Sequence, residues 1–242
     1  MGCPLSTRER LAGGRGRDYS RFFAADGANV VLADMLDTTS AAQEASAFGP
    51  RCVGVAVDVT DRASVSGLME ATMAEFGRLD VLINNAGLWR GPNEAGLLHC
   101  PDDVWERVWA VNVTGSLRCY QAEVPLMELN HFGRVINISS MASRSGGNPY
   151  GLTKHAVEHM TRGMAAEVGY KGITVNCIGP DISALEAARG AIANADLVVA
   201  GNAVKRIGTS RDLYNAMAYL CGPGAEWVTG QLLRVDGGAG VS

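Results

Sequence analysis

The sequence predicts an α/β protein built on a Rossmann-like, doubly wound parallel sheet, and three observations carry this prediction. Short apolar runs, such as those at 29–33 and 133–138, lack polar alternation, which is typical of strands buried on both faces. Helical patterns separate successive runs, as parallel strands require. Several runs end in polar residues, such as Asp34, Asp58 and Asn84. Right-handed crossovers between such units give one continuous sheet with helices on both sides.

The elements follow from these patterns in chain order. Strands are predicted where β-branched and aliphatic residues cluster between turn signals, at 29–33, 52–57, 79–83, 133–138, 173–178 and 231–235. Helices are predicted where apolar residues recur every three or four positions, at 40–48, 63–76, 101–129, 150–168 and 211–220. Neither a linker nor an internal repeat interrupts the series, so residues 1–242 are expected to form a single domain.

Composition and charge argue against several classes of protein, namely nucleic-acid-binding, membrane-spanning, secreted and metal-binding proteins. The 242 residues are 47% hydrophobic with a net charge of −4, and both charge signs are interspersed, so no nucleic-acid partner is expected. No apolar run approaches the roughly 18 residues of a membrane span, and residues 1–13 lack the apolar core of a secretory signal. The six cysteines form no CxxC pair and the four histidines no metal-ligand spacing. We therefore expect a cytoplasmic protein with reduced thiols and no metal site.

Polar or turn-forming residues follow five of the predicted strands, at the edge where ligands of doubly wound sheets bind. Because the carboxyl ends of parallel strands share one edge, these residues are expected to gather there: Asp34, Asp58, the Asn-Asn-Ala-Gly turn at 84–87, Ser139 with Ser140, and Gly179 with Pro180. Several chemical signals on one edge of one sheet predict a binding site more strongly than any of them alone.

Tyr150 and Lys154 are four residues apart, which places them on one face of the predicted helix. A phenol with a pKa near ~10 is a poor acid or base at neutral pH. An ammonium at about 4 Å favours the phenolate by roughly 4 kcal/mol at an effective dielectric of about 20, enough to lower the phenol pKa by up to ~3 units. Such a tyrosine could exchange a proton with an alcohol or carbonyl, with Ser140 holding the substrate oxygen. The spacing alone also arises by chance on many helices.

Together these motifs resemble the short-chain dehydrogenase/reductase family, of the type with about 250 residues. The resemblance rests on the Asn-Asn-Ala-Gly turn at 84–87, on Asn112 within Val-Asn-Val-Thr-Gly, on Ser140, Tyr150 and Lys154, and on the Asp-Gly-Gly at 236–238. It implies an oxidoreductase that interconverts a secondary alcohol and a ketone. It also implies a homotetramer or homodimer assembled through the helix around 102–129 and the helix after Tyr150.

The resemblance assigns a role to each catalytic candidate. Tyr150 would be the general acid/base, and Lys154 would lower its pKa and bind the nicotinamide ribose. Ser140 would orient the substrate oxygen. Asn112 would hold a water that links Lys154 to solvent, although a buried asparagine that bonds its own backbone is the alternative.

The cofactor expected from the resemblance is NAD. Asp34 ends a strand about 20 residues after the glycine region, where a carboxylate accepts bonds from both ribose hydroxyls and repels a 2′-phosphate. Met35, which follows, carries no positive charge that would favour NADP. Asp34 could also be a plain turn residue. Further cofactor contacts are expected from Asp58 and Val59 at the adenine, from Asn85, Ala86 and Gly87 at the adenine ribose, and from Pro180.

The N-terminal segment departs from the family pattern. Glu9 and Arg10 stand where a threonine and the first glycine are usual, whereas Gly14 and Gly16 remain, with Arg15 between them. Gly14 and Gly16 could still admit the pyrophosphate to a helix N-terminus, and Arg15 could pair with it or block it. Residues 1–8 contain no apolar strand pattern, and proline at position 4 argues against a central strand.

We therefore expect a degenerate first strand and treat residues 1–12 as an atypical segment that could be disordered. Three explanations remain open: a misassigned or frame-shifted start, a poor strand or loop in a working or weakened enzyme, and loss of cofactor binding with retention of the fold.

The region around the substrate also departs from the family. Ten positions separate Ser140 from Tyr150, about three fewer than is common, so this loop must take a shorter path. Asp181 follows Pro180 and would place a carboxylate near the substrate, although it could equally be a solvated turn residue. Residues 184–204 resemble the variable lid, which with Trp89, Arg144 and Asn148 should set specificity without identifying a substrate.

The sequence thus predicts an NAD-dependent dehydrogenase acting on a small-molecule alcohol or ketone. One alternative is an NADPH-dependent ketoreductase of the 3-oxoacyl carrier protein type, which Asp34 disfavours. The other is a non-catalytic oligomeric protein that has lost cofactor binding, which the altered glycine region favours.

Overall fold

The structure, a computed structural model, describes residues 2–6, 14–89, 96–144, 147–181 and 199–239. Seven strands in these ranges form one fully parallel sheet of order β3-β2-β1-β4-β5-β6-β7. They are β1 (Gly2–Ser6), β2 (Asn29–Asp34), β3 (Cys52–Ala56), β4 (Val81–Asn84), β5 (Gly133–Ile138), β6 (Ile173–Pro180) and β7 (Leu232–Val235). The predicted doubly wound, Rossmann-like α/β fold is confirmed.

The helices connect successive strands across the two faces of the sheet. They are α1 (Arg15–Ala25), α2 (Thr39–Ser46), α3 (Arg62–Phe76), α4 (Asp102–Trp109), α5 (Ser116–Glu128), α6 (Pro149–Val168) and α7 (Ser210–Cys221). The long helix predicted over 101–129 is present as one helical run over 102–128, but it is not α-helical throughout. A π-helical segment at Ala110–Gly115 separates α4 from α5, and such segments insert an extra residue that redirects side chains. Asn112 lies within it.

The first strand corrects the expectation that proline at position 4 excludes a central strand. β1 lies between β2 and β4, with Pro4 in register with Val31. Five Cα pairs join β1 to β2, but only the pair Leu5–Ile83 joins it to β4. A proline removes a single N–H donor, whereas omitting β1 would leave facing edges of two buried strands unpaired. The short pairing with β4 is where this strand is weakest.

Two hydrophobic clusters form the core, one on each face of the sheet. Strand residues alternate between them, so that Val30 and Leu32 face one cluster and Val31 and Ala33 the other. The first cluster includes residues of α1 and α7, and the second includes residues of α3, α5 and α6. Both faces are covered at the centre of the sheet, where β4, β5 and β6 are buried at every position, whereas the edge strands β3 and β7 are partly exposed.

Glu123 is an exception within this core. It lies on the buried face of α5, and its side chain is fully buried. Neither of its carboxyl oxygens has a hydrogen-bond partner among the described residues. Burial raises the pKa of Glu123 well above its usual range, which favours the protonated, neutral carboxyl group.

Three further properties can be read from the described ranges. No helix in them is both long enough and apolar enough to cross a membrane. They contain no group of three or more His, Cys, Asp or Glu side chains that could hold a metal ion. Five cysteines in these ranges are free thiols: Cys52, Cys100, Cys119, Cys177 and Cys221.

Candidate active site

The polar residues predicted to share one edge of the sheet follow strands that run in the same direction. Asp34 is the last residue of β2, Asn84 ends β4 and Pro180 ends β6. Ser139 and Ser140 come directly after β5. The parallel topology therefore brings these positions to the carboxyl edge, where doubly wound folds bind their ligands.

The two aspartates near the predicted adenosine site are each anchored by backbone bonds. Asp34 is buried and its Oδ1 accepts the N–H of Leu36 at 3.0 Å, which fixes the side chain at the end of β2. Asp58 is half-buried, and its Oδ1 accepts both the N–H and the hydroxyl of Thr60 at 2.8 and 2.7 Å. Val59 is buried against the helical segment that carries Gly115.

Asn112 ties together three parts of the chain. Its Oδ1 accepts the N–H of Leu88 at 2.7 Å, and its Nδ2 donates to the carbonyl of Leu88 at 3.2 Å and to Thr153 Oγ1 at 2.9 Å. The Thr153 hydroxyl in turn donates to the carbonyl of Tyr150 at 2.7 Å. The π-helical segment thus positions a fully buried asparagine that links the turn after β4 to the start of α6.

We expect Asn112→Ala to lower the free energy of unfolding by about 2–4 kcal/mol, because both backbone groups of Leu88 lose a buried partner. Asn112→Asp should cost about as much, because it removes the Nδ2 donor. Urea denaturation of the three proteins measures this. A loss below about 0.5 kcal/mol for Asn112→Ala would contradict the role of this link.

Lys154 is buried in the interior of α6, with 4% of its surface exposed. Its Nζ donates to the carbonyl of Ile138 at 2.7 Å and lies 5.7 Å from the centre of the Tyr150 ring. Burial lowers the pKa of Lys154 to about 8; Cys177 opposes this shift and the charge of Arg15 adds to it. The amine is therefore still mostly charged at neutral pH.

Gly87 closes the site from the side of the Asn-Asn-Ala-Gly turn. A Cβ at this position would lie 3.5 Å from Lys154 Nζ and 3.8 Å from Asn112 Oδ1. The turn thus brings bare backbone next to the ammonium. Asn85 and Ala86 precede it and are half-buried at the same edge.

Tyr150 occupies the second position of α6, one turn before Lys154. Asn148 caps this helix, accepting the N–H of Gly151 at 2.7 Å, and proline at 149 fits the first helical turn. The tyrosine is half-buried. Its ring therefore lies at the mouth of the site while the lysine beneath it is enclosed.

The glycine region is described from residue 14 onward. Gly14 is the N-cap of α1 with an extended backbone, and Gly16 is buried in the first turn. Arg15 occupies the first helical position, close enough to influence the charge on Lys154. Helix N-termini with small residues suit a pyrophosphate, and a nearby guanidinium adds positive charge. Glu9 and Arg10 lie outside the described residues.

The comparisons with known proteins agree with this architecture. A family model described as "Enoyl-(Acyl carrier protein) reductase" matches residues 12–240, which is most of the chain. The chain belongs to the short-chain dehydrogenase/reductase family. The matched span begins at residue 12, so it leaves out most of the atypical N-terminal segment.

Several members of the short-chain dehydrogenase/reductase family are similar over nearly the whole chain. The (2S)-[(R)-hydroxy(phenyl)methyl]succinyl-CoA dehydrogenase subunit BbsD of Thauera aromatica is 34% identical, with 94% of this chain and 92% of the relative covered. The 7alpha-hydroxysteroid dehydrogenase of Escherichia coli K12 is 31% identical, with 93% and 89% covered. The crystal structure of NAD+-bound xylitol dehydrogenase superposes with a TM-score of 0.88 at 25% identity, covering 98% of both chains.

Two features predicted to set specificity are the lid and Arg144. The lid predicted at 184–204 lies outside the described residues as far as 198. Arg144 Nη1 donates to the carbonyl of Ala239 at 2.6 Å and lies 3.7 Å from Asp236 Oδ2. The predicted specificity residue thus also anchors the segment after β7.

Sequence reasoning missed two residues that organise this short-chain dehydrogenase/reductase site. Thr153 relays the contact from Asn112 to Tyr150, and Glu158 bonds the serines on either side of Ser140. A signal existed for Glu158, which continues the spacing of four from Tyr150 through Lys154.

Proposed function

We propose that the chain is a dehydrogenase that interconverts a secondary alcohol and a ketone with NAD(H). The observation that carries this proposal is the buried Lys154 ammonium one helical turn from Tyr150, held by the Ile138 carbonyl. Bound NAD would supply the hydride acceptor for alcohol oxidation and the hydride donor for ketone reduction.

The chain's own residues would transfer the proton to and from the substrate oxygen. Tyr150 takes the hydroxyl proton of the alcohol as its carbon loses hydride, and returns it to the ketone oxygen in reverse. Lys154 favours the phenolate electrostatically, and Ser140 donates to the substrate oxygen and fixes its position. Asn112 fixes the start of α6 through Thr153 and would hold the water that links Lys154 to solvent, as the family resemblance implies.

The residues at the carboxyl edge fit a dinucleotide. The first turn of α1 would hold the pyrophosphate, Asp34 the adenosine ribose, and Lys154 with Tyr150 the nicotinamide ribose. The remaining contacts would come from backbone and side chains around the adenine and nicotinamide: Gly14, Arg15, Gly16, Asp58, Val59, Asn85, Ala86, Gly87 and Pro180. Two relatives support this assignment, because one is a hydroxysteroid dehydrogenase and the other is an NAD+-bound xylitol dehydrogenase.

Steady-state turnover tests the proposal. The purified chain is offered a panel of open-chain, cyclic and aryl secondary alcohols with NAD+ or NADP+, and the absorbance of the reduced cofactor is followed. We expect NADH formation with at least one alcohol, at a higher kcat/KM than with NADP+. Turnover with NADP+ alone would support the ketoreductase alternative instead. Failure with both cofactors and with the matching ketones would support a non-catalytic member.

Asp34 should decide between the two cofactors. We expect Asp34→Ser to lower kcat/KM for NAD+ by about 10- to 100-fold, because charged hydrogen bonds to the ribose are lost. The value for NADP+ should rise, since no carboxylate then opposes the 2′-phosphate. Asp37→Ser, an exposed aspartate three residues further on, should change neither value. An unchanged cofactor ratio in Asp34→Ser would leave Asp34 as a turn residue.

We further propose that copies of the chain assemble into a homodimer or homotetramer through the helices α4 to α6, in the cytoplasm. The family resemblance supports the assembly, and the free, mostly buried cysteines support a reducing compartment. Light scattering of the purified protein measures the number of copies.

A further inference from the structure

Glu158 lies on the same face of α6 as Tyr150 and Lys154, at successive spacings of four residues. Its side chain is only 9% exposed. The Oε1 atom accepts two hydrogen bonds of 2.6 Å, one from the hydroxyl of Ser139 and one from the hydroxyl of Ser143. Short bonds to a carboxylate are among the stronger hydrogen bonds in proteins.

These two serines stand on either side of Ser140. Ser139 is buried and also donates weakly to the carbonyl of Lys154, at 3.4 Å. Ser143 belongs to the short 3₁₀ turn at Met141–Arg144. One carboxylate oxygen on α6 thus holds both ends of the turn that presents the Ser140 hydroxyl.

The charge of Glu158 is compensated where it is buried. Arg234 Nη2 of β7 lies 3.8 Å from Oε1, and His155 Nδ1 of α6 lies 3.7 Å from Oε2. Two hydroxyl donors and a nearby guanidinium offset much of the free energy that burying this carboxylate costs.

We propose that Glu158 is a positioning residue that fixes Ser140 relative to Tyr150. The proposal rests on the proposed function, in which both hydroxyls meet on one substrate oxygen. Hydrogen bonds within the turn, from the N–H of Ala142 to Ser140 Oγ and from the N–H of Ser143 to the Ser140 carbonyl, set its shape. These bonds within the turn do not fix the position of the turn relative to α6. The bonds from Ser139 and Ser143 to Glu158 fix that position, and so they hold Ser140 near Tyr150 although only ten positions separate the two residues.

A double-mutant cycle on kcat tests whether Glu158 acts through Ser140. We expect Glu158→Ala to lower kcat by about 10- to 100-fold with an NADH dissociation constant unchanged within about twofold, because a misplaced group loses rate rather than cofactor affinity. In the Ser140→Ala background, the same change should lower the residual kcat by less than about twofold. A full loss in both backgrounds would overturn the proposal.

Two milder variants guard against misfolding of Glu158→Ala. Glu158→Gln keeps an acceptor oxygen and the side-chain shape, so its kcat should lie well above that of Glu158→Ala. Ser143→Ala removes one of the two bonds without altering α6, and its kcat should fall in the same direction by a smaller factor. Equal losses in Glu158→Gln and Glu158→Ala would show that burial of charge, not the tie to the serines, matters.

Hydrogen exchange gives a readout that needs no turnover. Backbone amides of residues 140–144 should exchange faster in Glu158→Ala than in the wild-type protein, while those of the distal half of α6 stay unchanged. His159→Ala, at an exposed neighbouring position, is the matched control and should leave both regions unchanged. Unchanged exchange in the turn would refute the tie. An inactive wild-type protein whose turn loosens in Glu158→Ala would refute the proposed function while the tie holds.

Discussion

Tyr150→Phe is expected to lower kcat by about 10²- to 10⁴-fold while the dissociation constant for NADH stays nearly unchanged. The substitution removes the phenolic oxygen, which would carry the proton and make one contact to the nicotinamide ribose, whereas Lys154 and the other proposed cofactor contacts remain. The Asn148 cap of α6, the bond from Lys154 to Ile138 and the link from Asn112 through Thr153 all involve other atoms. The fold and the affinity for NADH should therefore be nearly unchanged in the Tyr150→Phe protein.

Single-turnover kinetics, with NADH binding measured on the same sample, separate these two effects. Tyr170→Phe is the matched control, because this tyrosine is 84% exposed just beyond the end of α6 and should leave kcat unchanged. A Tyr150→Phe protein with an unaltered rate would assign the proton transfer to another group. A parallel loss of NADH binding would show that the tyrosine is needed for the cofactor as well.

Glu123→Leu is expected to raise the free energy of unfolding, by about 1–3 kcal/mol at acidic pH and by more at neutral pH. The leucine fills a fully buried position in α5 without an unpartnered carboxyl group. Because burial raises the folded pKa of Glu123, folding takes up a proton once the pH exceeds the unfolded value near ~4.3. Each further pH unit costs the wild-type protein about 1.4 kcal/mol until the folded pKa is reached.

Urea denaturation across the range from about pH 5 to about pH 8 measures this difference. The gap between Glu123→Leu and wild type should widen steadily as the pH rises. Glu70→Leu, at an exposed position of α3, should track the wild-type curve within about 0.5 kcal/mol. Parallel curves for Glu123→Leu and wild type would mean that the carboxyl group has a partner or a solvent path.

The strands and helices were predictable where a buried element shows a pattern of apolar residues in the sequence. The run at 133–138 coincides with β5, a central strand that is buried at every position. Its two polar residues, Arg134 and Asn137, are buried as well, and their side chains donate hydrogen bonds to the carbonyl of Gly133 and to Thr161 Oγ1. The start of β4 differs by two residues, because Leu79 and Asp80 are buried but precede the strand, which begins at Val81. The carbonyl of Asp80 still accepts the N–H of Arg134 in β5, so the boundary falls at the end of the pairing rather than at the end of the buried run.

The π-helical segment could not be predicted in the same way. Its residues continue the apolar spacing of the flanking helices, so the sequence reads as one long helix. What favours the extra residue is the pairing of Asn112 with Leu88 and Thr153, 24 and 41 positions away. Such contacts exist only once the fold has formed.

The candidate site divides similarly. Tyr150, Lys154, Asn112 and Ser140 carry motifs and fixed spacings, so the sequence predicts them as a group. Glu158 and Glu123 are both single glutamates on helices, and only the spacing of four residues from Lys154 distinguishes the glutamate that bonds two serines from the one without hydrogen-bond partners among the described residues. Only the packing of each helix against the sheet reveals that both are buried.

The central claim is that this chain binds NAD(H) at the carboxyl edge despite its altered glycine region. Fluorescence titration of the full chain with NADH, repeated with NADPH, tests it most directly. We predict saturable binding of NADH that is at least about tenfold tighter than that of NADPH, because a phosphate beside Asp34 would face a carboxylate. Tighter binding of NADPH, or no binding of either cofactor by the folded protein, would contradict the claim.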